Sequence, residues 1–134
     1  MYKTHLTSGA WSASDSDTDP WIQAYFGEDT IIYSVTTQGR DQTTEERRVT
    51  AYTLAVSDDG YTFNDVTDAN GAVIVYDGNT DSTTKVTNVL PDGTTGVLLR
   101  LNVYSFYNRA SLRWGITGCA GNYFPLPLAL ICEI

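Results

Sequence analysis

An all-β sandwich or barrel is the fold class this sequence predicts, on three observations. Apolar residues recur with a period of two in several separate runs. Turn-forming tripeptides separate those runs at short intervals, and no segment of ten or more residues carries a 3.6-residue period. The chain has 134 residues, 42% apolar and 18% charged, enough for one core and too short for two.

In chain order, the first alternating run holds Ile31, Tyr33 and Val35, and the next holds Tyr52, Leu54 and Val56. Between 97 and 104, Val97, Leu99, Leu101 and Val103 point one way while Arg100, Asn102 and Tyr104 point the other. In the last run Ala110, Leu112, Trp114 and Ile116 alternate with Ser111, Arg113, Gly115 and Thr117. Asp58-Asp59-Gly60 predicts a tight hairpin, and Asn70-Gly71, Asp77-Gly78-Asn79 and Pro91-Asp92-Gly93 predict further reversals. The expected core is Tyr52, Leu54, Val56, Leu99, Leu101, Leu112 and Trp114. Pro125 and Pro127 interrupt the apolar run that ends at Cys132, so residues 120–134 read as a tail after a domain over 1–119.

A net charge of −8 argues against nucleic acid and anionic lipid, both of which reward a basic surface. No stretch approaches the roughly 20 apolar residues that span a bilayer. Residues 1–6 lack the apolar region of a secretory leader. Cys119 and Cys132 allow one disulfide but no C-x-x-C motif. His5 is the one histidine and sits near the terminus, so a Ser-His-Asp constellation has no well-placed base, and no catalytic residue is assigned. Asp15, Asp17 and Asp19 alternate as calcium ligands do, yet Pro20 and Phe26 stand where an EF-hand needs Gly and Glu. The segment reads as a solvated acidic loop, and no metal or cofactor is assigned.

Five landmarks occur in order: Ala10-Trp11 followed by Trp21-Ile22-Gln23; Thr37-Gln38-Gly39-Arg40; Val56-Ser57-Asp58-Asp59-Gly60; Asp77-Gly78-Asn79-Thr80-Asp81; and residues 111–119, closing on Cys119. Over roughly residues 8–119 the chain resembles the discoidin domain, also called the coagulation factor V and VIII C-type domain. The resemblance implies an antiparallel, galactose-binding-like jelly-roll β-sandwich whose loops at one end bind ligands, extracellular and without catalytic activity. It also implies about thirty further residues before Ala10-Trp11, with a cysteine that pairs with the position of Cys119. This chain lacks them, and it continues for 15 residues past Cys119. The expectation is therefore an unpaired sheet edge and a buried, unpaired Cys119 thiol rather than a bridge to Cys132.

By the same resemblance Arg40 matches a loop-flanking arginine that contributes to ligand binding, and Arg109 lies in the loop before the last strand. Arg40, Asp41, Arg47, Tyr107 and Arg109 are the expected ligand-binding residues, since a guanidinium fork beside a carboxylate and a ring suits sugar hydroxyls or an acidic side chain. Arg100 and Arg113 sit inside strands, where a hydrogen bond that closes the barrel is the expected role, and Trp11 is expected to be structural. The loop over residues 41–48 has no apolar residue to insert into lipid. The expected partner is a glycan or a cell-surface or matrix protein, and membrane binding is disfavoured.

Overall fold

The computed structural model describes residues 10–40 and 45–120, and among these every regular element is a strand. In chain order they are β1 (Trp11–Ser12), β2 (Trp21–Gln38), β3 (Arg48–Ser57), β4 (Asn64–Asp65), β5 (Tyr76–Asp77), β6 (Val86–Val89), β7 (Thr95–Tyr107) and β8 (Ser111–Ala120). The named strands pair antiparallel throughout, in the order β1-β8-β2-β7-β3-β4, with β5 on β3 and β6 on β2. The predicted all-β antiparallel architecture holds.

The long strand β2 organises the sandwich. Its first part pairs with β7, from Trp21 opposite Asn102 to Tyr25 opposite Leu98. Its second part pairs with β8, from Thr30 opposite Ala120 to Gln38 opposite Arg113, and with β6 on its other side. The β7 register breaks between Tyr25 and Thr30, where Gly27 takes a φ of 79°. Glycine adopts that left-handed conformation without a Cβ penalty, so the strand turns a corner there. Because β7 ends at Tyr107 and β8 begins at Ser111, both ends of β2 arrive near the same short loop. One layer is therefore β2's first half with β7, β3, β4 and β5. The other is β2's second half with β6, β8 and β1.

Between the layers lie Tyr52, Leu54, Leu99, Leu101, Leu112, Ile32, Val35 and Val49, all at most 1% exposed. Five of the seven expected core residues are fully buried, and Val56 and Trp114 pack against the core from its margin. The alternation at 31–35 needs correcting. Ile32 and Val35 are buried while Tyr33 faces solvent, because a register shift between Ile32 and Ser34 inserts an extra residue and flips the phase. The reversal at Asp58-Asp59-Gly60 is a six-residue loop between β3 and β4 rather than a tight hairpin. It is shaped by the Asp59 carboxylate, which accepts from the Tyr61 and Thr62 N–H groups. Cys119 also departs from expectation: it is 3% exposed and disulfide-bonded, not a free thiol. The sequence's other cysteine, Cys132, lies outside the described residues, as does the predicted tail beyond Ala120.

A buried phenol pair ties the layers together. Tyr52 stacks on Tyr76 at 5.6 Å, and its hydroxyl accepts from Asn88 Nδ2 of β6 at 3.0 Å. Burial pushes the Tyr52 phenol up to about 12, against a smaller opposing effect of the Asn88 bond. The unfolded chain releases this proton near pH 10 while the folded chain keeps it, so stability is intact below about pH 10 and declines as pH climbs toward about 12. Urea unfolding from about pH 9 to about pH 12 should show a loss of about 2 kcal/mol, reduced in Tyr52→Phe. A flat profile would contradict this placement.

Candidate functional site

Four connections converge at the end of the sandwich where β7 hands over to β8. They are the β1–β2 loop (residues 13–20), the described ends of the β2–β3 loop (39–40 and 45–47), the β5–β6 loop (78–85) and the β7–β8 loop (108–110). The β5–β6 loop is the floor. The Gly78 and Asn79 N–H groups donate to the Thr50 and Val49 carbonyls, and a Cβ on Gly78 would collide with the backbone of β3. Asn79 is 1% exposed, and its Nδ2 donates to the carbonyls of Thr37 at 3.0 Å and Thr84 at 2.9 Å. That one amide ties the end of β2 to the loop beneath it. Gly39 lies against the Ser82 backbone, so the loop that carries Arg40 rests on this floor. Asp81 caps the same turn. The Thr84 N–H, then the Thr84 hydroxyl and the Thr83 N–H, hold its carboxyl below the ordinary value, with a smaller contribution from Arg48.

Arg40 follows β2 and bridges to Arg47 across the loop, its N–H donating to the Arg47 carbonyl at 3.0 Å. The Arg40 guanidinium donates from Nη1 to Ser12 Oγ at 3.2 Å, and Ser12 in turn bonds Ser111 at 2.6 Å. Arg109 reaches the adjoining β1–β2 loop. Its Nε donates to the Ala13 carbonyl at 2.6 Å and lies 3.3 Å from an Asp15 carboxylate oxygen. Arg47 pairs with Glu45 at 2.9 Å. Tyr107 is half-exposed under the guanidinium of Arg48, 4.1 Å from its ring centre, and Arg48 pairs with Glu46 at 3.0 Å.

Four of the five expected site residues, Arg40, Arg47, Tyr107 and Arg109, thus stand at one end, joined through Ser12, Ala13 and Arg48. The fifth, Asp41, lies outside the described residues. Sequence reading missed several neighbours. Asp15, read as part of a solvated acidic loop, is exposed and also lies 3.3 Å from Arg109. Asn108 adopts a φ of 61° and donates from Nδ2 to the Glu46 carbonyl at 2.8 Å, which fastens the β7–β8 loop to the β2–β3 loop. An asparagine between Tyr107 and Arg109 at a strand end is the one local signal for that turn. Arg100 and Arg113 do close strands: Arg100 bonds Gln23 Oε1 through Nε and Nη2, and Arg113 Nε donates to the Gly39 carbonyl. Trp11 packs half-buried on the core, as a structural residue should. Chemically, the assembly offers planar cation forks, nearby carboxylates and one ring, groups suited to grip a hydrogen-bonding ligand.

The model of the F5/8 type C domain matches residues 3–116. Mouse lactadherin is 27% identical over 130 residues, which cover 97% of this chain and 28% of that protein. Human coagulation factor VIII is 30% identical over 112 residues, covering 84% of this chain and 5% of that protein. Among solved structures, discoidin II of Dictyostelium discoideum superposes with a TM-score of 0.68 at 24% identity, covering 82% of this chain and 40% of that one. CpGH89CBM32-5 from Clostridium perfringens, solved in complex with GalNAc-β-1,3-galactose, gives a TM-score of 0.65 at 18% identity, with 81% of this chain and 75% of that chain covered. These structural likenesses establish the discoidin, galactose-binding-like jelly-roll fold. The chain spans only a fraction of the length of its curated relatives.

Proposed function

Because the chain belongs to the F5/8 type C domain family, a family of binding modules rather than enzymes, we propose that it is an extracellular, lectin-like recognition module that binds carbohydrate through the loops at its β7–β8 end. The carrying observation is the meeting of Arg40, Arg47 and Arg109 with Tyr107 and the carboxylates of Asp15 and Glu45. Guanidinium forks and carboxylates together satisfy hydroxyls, which donate and accept, and the ring offers an apolar face. The disaccharide in the structurally similar clostridial module supports the same ligand class. The disulfide at Cys119 agrees with an oxidising, extracellular setting. The test is an array of immobilised glycans probed with the folded protein. A set of glycans retained by the protein, and lost with Arg40→Ala, supports the reading. No retention of any glycan overturns it.

A protein or matrix ligand is the second reading, because arginines and tyrosines on loops also make protein hot spots. An anionic membrane is disfavoured. Arg47, Arg48 and Arg109 each have a carboxylate of this chain within 3.3 Å, so the cluster is compensated within an overall charge of −8. Phosphatidylserine vesicles at physiological salt are expected to leave the protein in the supernatant. Calcium-independent co-sedimentation would contradict that expectation.

A further inference from the structure

We propose that Asn108 is a positioning residue of the loop site: its side chain clips the β7–β8 loop to the β2–β3 loop and so sets where Arg109 stands relative to Arg47. This role rests on the carbohydrate reading above for its ligand. Among the described residues Asn108, at 61°, is the one non-glycine with a positive φ. L-residues avoid that left-handed region, and asparagine is among the few that visit it at modest cost. Such an outlier persists only where its surroundings hold it, and outliers of this kind cluster at binding sites. Here the Arg109 N–H closes the turn across Asn108, donating to the Tyr107 carbonyl at 2.7 Å.

The strand ladder explains the residue type. At the loop end β3 and β7 pair through Val49 opposite Phe106 and Arg48 opposite Tyr107. One step further Asn108 would face Arg47, but the β7 backbone turns away there and Arg47 bridges to Arg40 instead. The Asn108 side chain takes over the contact, its Nδ2 donating to the Glu46 carbonyl at 2.8 Å. Glu46 is held a second time, because its carboxylate pairs with Arg48 at 3.0 Å while that guanidinium lies 4.1 Å over the Tyr107 ring. On the other side of Asn108, Arg109 engages the Ala13 carbonyl and Asp15. Loosening Asn108 therefore lets Arg109 shift against Arg47 without removing either arginine. Asn108 is exposed, so water replaces its bond at little cost to the fold. The effect falls instead on how well the two loops are ordered before a ligand arrives.

Three variants separate this role from a structural one. Asn108→Gly accepts the positive φ freely and removes the amide, whereas Asn108→Asp keeps the turn preference and sets a carboxylate where a donor is needed. Asn108→Ala loses both the amide and the tolerance for the left-handed conformation. Measured with the glycan that wild type retains best on the immobilised array, Asn108→Gly should bind about three- to tenfold more weakly, with a thermal midpoint within about 2 °C of wild type. Asn108→Asp should lose at least as much affinity, and Asn108→Ala should lose affinity together with about 4 °C or more. A merely structural residue would make affinity follow the midpoint, so wild-type affinity in Asn108→Gly would overturn the proposal. Amide hydrogen exchange gives a readout that needs no ligand. The Arg109 and Arg40 N–H groups, bonded to Tyr107 and Arg47, should exchange about tenfold faster in Asn108→Gly, while those of Leu99 and Leu101 stay unchanged. Unchanged exchange at Arg109 and Arg40 would overturn the clip whatever the array shows. Faster exchange in a protein that retains no glycan would support the clip and overturn the carbohydrate reading.

Discussion

Arg40→Ala is expected to lower glycan affinity about thirtyfold or more while changing folding stability by no more than about 1 kcal/mol. The asymmetry follows from what the side chain does. Its guanidinium donates to Ser12 Oγ at 3.2 Å, at the part-buried end of β1. Losing one such bond costs the fold little, because water replaces the donor. A ligand hydroxyl that relies on a charged fork loses a charge-assisted bond with no substitute. Paired calorimetric titration and thermal melts read both quantities on one sample. Should Arg40→Ala unfold the domain, the residue is a strut and the binding end lies elsewhere.

Asn79→Ala is expected to produce the opposite pattern, a loss of about 3 kcal/mol in stability. The Asn79 side chain is buried and satisfies two backbone carbonyls, Thr37 and Thr84, that belong to different elements. Alanine leaves both acceptors without that donor and empties part of a buried position. Because the β2–β3 loop rests on this floor, affinity should fall as well, but only in proportion to the population that loses its packing. A denaturation midpoint equal to wild type would show that the floor relaxes and that Asn79 is not the tie described here.

The two residues also show what was legible in the sequence. Alternation in 52–56, 97–103 and 110–116 identified the strands and most of the core, because a sandwich with one wet face enforces a period of two. The same rule failed at Tyr33, where a bulge invisible in the pattern reversed the phase. The corner in β2 at Gly27 was also hidden, since one glycine in a polar stretch does not announce that a strand changes layers. At the loop end, resemblance pointed to Arg40 and Arg109 and their setting to Arg47 and Tyr107, while the contacts of these residues with Asp15, Ser12 and Asn108's loop went unread. Ser12 is 28 positions from Arg40 and Asn108 is 62 from Glu46, and no local pattern encodes such distant pairings. Cys119 was misjudged for a related reason: the absence of the family's early cysteine suggested an unpaired thiol, but whether two sulfurs meet depends on tertiary geometry.

The most direct test of the binding end is a backbone amide chemical-shift map recorded while the strongest glycan from the array is titrated into labelled protein. The largest shifts are expected at Ser12, Arg40, Arg47, Asn108 and Arg109. Shifts centred instead on the opposite end, at Asp58 to Tyr61 and Asp92 to Thr94, would contradict the account.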